Sequence, residues 1–214
     1  MMIKAVLWDF GGVFTTSPFD NFSRYERENG LPANFLRGIN ATNPDSNAWA
    51  RFERSEIDLD AFDRLFETES RAAGRPVPGR QIIALLAGQV RPEMVIALRR
   101  CREQFVCGCI TNNVAAGSGP GMATDPERAD EVAEVMSLFH LVVESSRLGL
   151  RKPDPEIYAH ACRELAIDPK ETVYLDDLGI NLKPARAMGM RTIKVSAAGP
   201  ALAELETLLG IPLR

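Results

Sequence analysis

The sequence predicts an α/β fold: a mostly parallel sheet with helices between its strands, and a small helical segment inserted after the first strand. Three observations predict it. Five short, β-prone apolar runs recur along the chain, each ending in polar or turn residues. From the second run onward, helical patterns lie between them, and strand–helix alternation implies parallel pairing through right-handed crossovers. Between about residues 17 and 88 that rhythm breaks, and helical periodicity without obvious strands replaces it.

The first strand is Ile3 to Trp8, a run that stops at Asp9. Within the inserted stretch, Asn47 to Phe52 and Leu59 to Ala73 carry Trp49, Phe52, Leu59, Phe62, Leu65 and Phe66 at helical spacing. Arg75-Pro76-Val77-Pro78-Gly79 interrupts them as a loop. The expected division is therefore 1–16 with 89–214 as the core and 17–88 as the helical insert. Phe105 to Ile110 is the second strand, Leu141 to Glu144 the third, Thr172 to Leu175 the fourth and Arg191 to Val195 the fifth. Ala116 to Gly121 reads as a short flexible loop, and Ala129 to Phe139 as a helix. A second helix runs from Glu156 to Leu165, with Asp154 as N-cap and Pro155 as first helical residue. A third runs from Leu182 to Met188 and is ended by Gly189.

The chain has 214 residues, 45% hydrophobic and 25% charged, enough for one globular domain with or without an insert. Its formal net charge is −4 and no basic run is present, which argues against a nucleic-acid partner. No stretch approaches transmembrane length, so no membrane partner is expected. Met1-Met2-Ile3-Lys4 leads directly into the first strand without a leader pattern, and a cytoplasmic location is expected. The cysteines at 101, 107, 109 and 162 fit a reducing compartment. Cys107-Gly108-Cys109 lies in an apolar run without the partners a zinc site needs, so it reads as strand core. His140 and His160 read as structural, and Arg151 as a solvated residue.

Four segments carry chemistry, and each follows or lies between the expected strands. Asp9-Phe10-Gly11-Gly12 puts a carboxylate at the carboxyl end of a strand, where open α/β sheets bind ligands. Its glycines let backbone approach an anion, and a carboxylate there can attack phosphorus. Thr111-Asn112-Asn113 offers a hydroxyl and backbone N–H groups for phosphate oxygens. Lys152 precedes Pro153, which holds it extended, and supplies a cation for phosphoryl charge. Asp176-Asp177 is a carboxylate pair that calls for a cation, and hard oxygen ligands suit Mg²⁺. Asp177 is the expected direct ligand, with Asp176 behind it or acting through water. Each segment alone also reads as an ordinary polar turn; the four together, in this order on one sheet, read as a phosphoryl-transfer site.

These residues resemble the haloacid dehalogenase-like (HAD) hydrolase superfamily over essentially the whole chain. Leu150-Arg151-Lys152-Pro153-Asp154-Pro155 and Tyr174-Leu175-Asp176-Asp177-Leu178-Gly179-Ile180-Asn181 are similar to the N-terminal phosphatase domain of soluble epoxide hydrolases and to the N-terminal part of an acyl-CoA dehydrogenase family protein. The start, Leu7 to Val13, resembles bacterial sugar-phosphate phosphatases of the same subfamily. The resemblance implies a Rossmann-like core, a helical cap inserted after the first motif, and Mg²⁺-dependent hydrolysis of a small phosphorylated metabolite through Asp9. The epoxide-opening half of those hydrolases has no counterpart before Arg214, so epoxide chemistry is not expected. In this family the metal set implied is Asp9, the Gly11 carbonyl and Asp177, with Thr111 and Lys152 holding the transferred group.

Gly11 departs from the family pattern. Most phosphatases of the superfamily carry a second Asp there, which protonates the leaving group and then activates water. A positioned acid or base contributes ~10²–10⁴-fold, so reduced turnover is expected. Two other readings remain: a catalytically weak module that binds phosphate ligands, and a metal-independent 2-haloacid dehalogenase, against which the Asp176-Asp177 pair argues. The sequence leaves the substrate and the oligomeric state open.

Overall fold

A computed structural model of the protein describes residues 2–116, 122 and 126–214. Its centre is a five-stranded, all-parallel sheet of β1 (Ala5–Trp8), β2 (Val106–Thr111), β3 (Leu141–Glu144), β4 (Thr172–Asp176) and β5 (Arg191–Lys194), in the order β3-β2-β1-β4-β5. All five expected strands are present. The chain builds outward from β1 to β3, then crosses back to place β4 on the other side of β1. The carboxyl ends of β1 and β4 therefore flank the point where strand order reverses, the crevice in which such sheets bind ligands. In register, Trp8 lies between Cys109 and Leu175, so Asp9 leaves the sheet beside Asp176.

Strand alternation divides the core into two layers. Val6, Trp8, Val173 and Leu175 point to one face, where they pack on α6 (Pro92–Arg102), α7 (Pro126–Ser137) and α11 (Ala198–Leu209). Leu7 and Tyr174 point to the other face, against α9 (Pro155–Glu164) and α10 (Gly179–Ala187). Buried on both faces, these strands read as the continuous apolar runs seen in the sequence. Cys107 and Cys109 are buried in β2 as expected, and the backbone of Cys107 is hydrogen-bonded to the ring Nδ1 of His140.

The long stretch after β1 holds α1 (Pro18–Glu28), α2 (Phe35–Ala41), α3 (Ala48–Glu53), α4 (Leu59–Ala72) and α5 (Gly79–Ile83). These helices share an apolar cluster, with Phe52, Phe62 and Phe66 fully buried. Phe52 stacks on Phe62 with ring centroids 4.7 Å apart, and Trp49 meets Phe62 edge-on at 5.3 Å. Asn47 and Asp58 cap α3 and α4 through their side chains, which satisfies N–H groups that a helix start leaves unpaired. The chain leaves and returns through paired backbone: Thr15 bridges Val90, Thr16 N–H donates to Gln89 O at 2.8 Å, and Arg91 N–H donates to Phe14 O at 2.7 Å.

Three helices after β2 correspond to expected ones, whereas the one-turn α8 (Ser145–Leu148) was not expected. α9 has Asp154 as N-cap and Pro155 in its first turn. α7 starts and ends somewhat earlier than the expected 129–139. α10 begins at Gly179, ahead of the expected Leu182, because Asp176 Oδ1 accepts the Leu178 N–H and starts the helix just after the carboxylate pair. The periodicity reading names no helix over Pro92–Arg102 or Ala198–Leu209. In the first, a run of arginines obscures the buried Met94, Ala97, Leu98 and Cys101; in the second, Gly199-Pro200 reads as a turn but sits in the first helical turn. The expected 116–121 loop lies outside the described residues apart from Ala116. Among the described residues no helix is long and apolar enough to cross a membrane.

Candidate active site

Lys152 is the centre of the site. Its side chain is 1% exposed, and its Nζ lies 2.7 Å from Asp9 Oδ1 and 2.9 Å from Asp176 Oδ2. Burial works against the lysine's charge, but Asp176 and Asp9 outweigh it and hold its pKa above the ordinary value. Burial also lifts the pKa of Asp9; Lys152 opposes that rise, and Asp176 and Asp177 add to it. The 2.7 Å contact with the lysine ammonium is the interaction that favours the carboxylate form of Asp9 against its burial.

Asp176 is fully buried and does not line the cavity described below. Besides Lys152 it accepts from Tyr174 OH at 2.5 Å, Leu178 N–H at 2.7 Å and Asn181 Nδ2 at 3.1 Å on each oxygen. Its environment consists of donors, and its position is that of a group that orients Lys152. Asp177, the next residue, is half-buried and faces Asp9 and Gly12. Oxygens of Asp9, Asp176 and Asp177 lie within 4.8 Å of one another. Burial, reinforced by Asp176, pushes the Asp177 carboxyl up to about 6.

Gly12 explains the glycine pair. Its φ is +74°, and a Cβ there would lie 2.2 Å from Asp177 Oδ2, so both backbone conformation and space require glycine. Its carbonyl accepts from Arg91 at 3.1 Å. Gly11 is the opposite case: a Cβ built there meets nothing within 4 Å. The position where the family pattern has an acid is open space.

The two asparagines after β2 turn opposite ways, as neighbours in extended chain do. Asn112 clamps the lysine's backbone: its Oδ1 accepts the Lys152 N–H at 2.8 Å and its Nδ2 donates to Lys152 O at 3.0 Å. Asn113 corrects an expectation. Its N–H does not face a phosphate; it donates to Ser145 Oγ at 3.0 Å, while its side chain holds Glu144 at 2.8 Å and Ser146 at 2.9 Å. Asn113 ties β2 to the end of β3. Thr111 is buried at the end of β2 and lines the cavity.

That cavity has a volume of about 570 Å³, within the ordinary range for small-molecule sites. Asp9, Gly11, Thr111, Asn112, Lys152 and Asp177 all line it. Helices of the inserted stretch complete it with Phe19, Phe22, Trp49 and Glu53.

Two lining residues were not legible as site residues. Arg151, expected to be solvated, is largely buried: its Nε donates to Glu53 Oε2 at 2.5 Å and its Nη1 to Pro44 O at 3.0 Å. Glu53 also accepts from Trp49 Nε1 at 2.9 Å. Burial raises the pKa of Glu53 against the pull of Arg151, yet every partner it has is a donor, which holds it as the carboxylate. Trp49 and Glu53 are four apart on one helix, so their contact was open to a spacing argument. Asn181 and Tyr174 are also missed positioning groups; Tyr174 lies two residues before Asp176 on one strand, and the period of two gives that contact away.

A family model for haloacid dehalogenase-like hydrolases matches residues 3–189. The chain belongs to that family. It is 35% identical, over 98% of its length, to acyl-CoA dehydrogenase family member 10 of Mus musculus, and 31% identical over 100% of its length to bifunctional epoxide hydrolase 2 of Sus scrofa. It spans only 19% and 40% of those two proteins. It is 28% identical to sesquiterpene phosphatase astK of Aspergillus oryzae, covering 97% of both chains. Among solved structures, a HAD family enzyme, bt-2542 of Bacteroides thetaiotaomicron, in complex with magnesium and inorganic phosphate, superposes with a TM-score of 0.60, at 22% identity over 92% of this chain and 96% of the other. The last likeness shows the shared fold.

Proposed function

We propose that this HAD-family hydrolase is a Mg²⁺-dependent phosphatase of small phosphate monoesters, acting through an aspartyl-phosphate on Asp9. One observation carries the reading: Lys152 neutralises Asp9 and Asp176 from inside, while Asp177 stands beside Asp9 at the cavity without a comparable partner. Three carboxylates against one lysine leave an excess of negative charge that fits a divalent cation and disfavours a bare anionic substrate. Asp9, Asp177 and the Gly11 carbonyl would hold the Mg²⁺, with Asp176 acting through Lys152. When bound, the ion neutralises phosphoryl charge.

The chain's own residues do the rest. Lys152 holds Oδ1 of Asp9, which leaves Oδ2 for in-line attack on phosphorus. Thr111 and Lys152 bind the equatorial oxygens and stabilise charge as the group transfers. Water then cleaves the acyl-phosphate and restores Asp9. The helices of residues 17–88 act as the cap: they enclose the cavity over Asp9 and are joined to the sheet by the paired backbone at Thr15–Thr16 and Gln89–Arg91. The phosphatase name of the Aspergillus relative and the magnesium and phosphate in the Bacteroides enzyme support the reading. The carboxylate cluster speaks against the dehalogenase alternative.

The test is phosphate release from 4-nitrophenyl phosphate with and without Mg²⁺. Release is expected to need Mg²⁺ and to vanish in Asp9→Asn. Unchanged turnover in that variant refutes the role given to Asp9.

A further inference from the structure

The substrate's leaving group is constrained by the groups that the described residues bring to the cavity. An alkyl phosphate must receive a proton as its oxygen departs, and a positioned acid supplies it. Gly11 has no side chain, and among the described residues none comes within 4 Å of where its Cβ would be, so none of them has moved into the acid's place. The described residues that line the cavity offer no substitute. Asp9 and Asp177 are committed to attack and to the cation. Both oxygens of Glu53 accept from donors, Trp49 on one and Arg151 on the other, so it has no proton to give. Asp45 stands exposed, with bulk water as its proton partner. Neither histidine lines the cavity. The hydroxyls of Tyr158 and Tyr174 are buried on Asn181 O and Asp176.

Most of the remaining wall is apolar, though Arg37, Asn40 and Asp45 also line it. Phe19, Phe22, Trp49, Leu86, Val114 and Ile180 line it. Of the polar groups on the inserted helices, Glu53 is held by Arg151 and Arg37 stacks over the Phe19 ring at 4.5 Å, while the Asn40 Oδ1 has no hydrogen-bond partner among the described residues. Against six apolar side chains, a polyhydroxylated body would lose more hydration than these few polar groups replace, whereas an apolar body gains by burial.

We infer that the substrate carries its phosphoryl group on a weakly basic oxygen attached to an apolar body. An aryl phosphate and the terminal phosphoryl of an alkyl diphosphate both have this chemistry. This rests on the phosphatase reading and narrows it. In the first step Asp9 forms a P–O bond as the bond to the leaving oxygen breaks. That oxygen leaves with the electron pair, as a phenolate or as the oxygen of an alkyl monophosphate, and takes any proton it needs from solvent afterwards. In the second step water attacks phosphorus, the Asp9–phosphorus bond breaks, the carboxylate is restored, and the water's protons pass to inorganic phosphate and solvent.

Phenyl phosphate and benzyl phosphate test this, because they share a ring and differ in the basicity of the leaving oxygen. kcat/KM is read because it reports the first step. In the wild type it is expected to fall from 4-nitrophenyl to phenyl and then steeply to benzyl phosphate. In Gly11→Asp the benzyl ester should gain ~10²–10⁴-fold, the usual contribution of a positioned acid, and the nitrophenyl ester far less. Should that variant not fold, the wild-type phenyl-to-benzyl ratio decides alone. Decyl diphosphate cleaved far faster than decyl phosphate assigns the anhydride source; phenyl phosphate preferred over both assigns the aryl source. Benzyl and phenyl esters cleaved alike, or glucose 6-phosphate preferred to all of them, overturns the inference and leaves the phosphatase reading standing. No release even from 4-nitrophenyl phosphate with Mg²⁺ overturns both.

Discussion

Replacing Arg151 with alanine tests whether the contact between the inserted helices and the sheet is an energetic feature or a surface decoration. The side chains of Arg151 and Glu53 are 17% and 7% exposed, and they meet at 2.5 Å. Removing one member of a buried pair costs ~3–5 kcal/mol, because the other charge is left without compensation. Arg151 is not sealed from water, which favours the lower end, about 3 kcal/mol. For a chain of this size 1 kcal/mol moves Tm by ~2–4 °C, so Arg151→Ala should melt roughly 6–12 °C below the wild type. Glu53→Gln should cost less, since the amide still accepts from Trp49 and the guanidinium keeps its bond to Pro44 O. The double variant should be less destabilised than the sum of the two, with a coupling of at least ~1 kcal/mol. The pH dependence supplies a check. Burial already raises the Glu53 pKa, and loss of Arg151 raises it further. A group whose folded pKa lies above its unfolded value loses stability as pH rises through that range. The deficit of Arg151→Ala should therefore shrink at acid pH, where Glu53 is neutral. Thermal unfolding followed by tryptophan fluorescence measures all three. A Tm shift below about 2 °C with additive effects would place the pair with ordinary exposed ion pairs and refute the reasoning.

Other positions give sharper contrasts. Gly12→Ala should destabilise by ~1–2 kcal/mol through its left-handed backbone alone and should also displace Asp177; a ~10–100-fold loss of apparent Mg²⁺ affinity is expected by calorimetry or activity titration. Gly11→Ala, with a Cβ in open space, should unfold within ~0.5 kcal/mol of the wild type; equal damage from the two alanines would contradict the geometry. In metal-free protein, burial and the neighbouring Asp176 push the Asp177 carboxyl up to about 6, above the ordinary carboxylate range. The folded state then holds this proton more tightly than the unfolded one, so stability should fall, by at most ~3 kcal/mol, as pH rises through that window. Urea unfolding in chelator across pH 4 to 7 should show that slope in the wild type and a much weaker one in Asp177→Asn.

The sheet was legible because its signals are local. A buried parallel strand needs a run of apolar residues whatever its neighbours are, and the runs behind β1, β2, β3 and β4 met that need; the edge strand β5 has only Ile193 buried and was read from its β-prone residues. Strand order was not local. That β1 lies in the middle follows from the pairing of Ala5 with both Val106 and Thr172, and no residue near Ala5 announces either partner. The helices followed the same division. α9 carries its own cap and proline, whereas α6 and α11 have weak local contrast and owe their placement to the sheet face they cover.

The site divides along a similar line. Asp9, Lys152 and Asp177 stood out because polar residues are placed abruptly at the ends of apolar runs, and each run had already been read as a strand. The direction of a side chain within such an end was beyond that argument. Asn112 and Asn113 are the same residue type in adjacent positions, yet one holds the Lys152 backbone and the other turns to Ser145 and Glu144. Arg151 shows the limit most clearly. Next to Lys152 and two residues before Pro153, it has every local mark of a solvated loop residue. Its partner, Glu53, is 98 residues away in sequence and on a helix of the insert. Only the fold of the insert against the sheet brings the two together, and the charge each carries becomes a constraint only once both are buried. The same closure that hides this pair builds the wall over Asp9. A residue that looked incidental in sequence is therefore the one whose substitution reports whether the inserted helices are seated on the sheet.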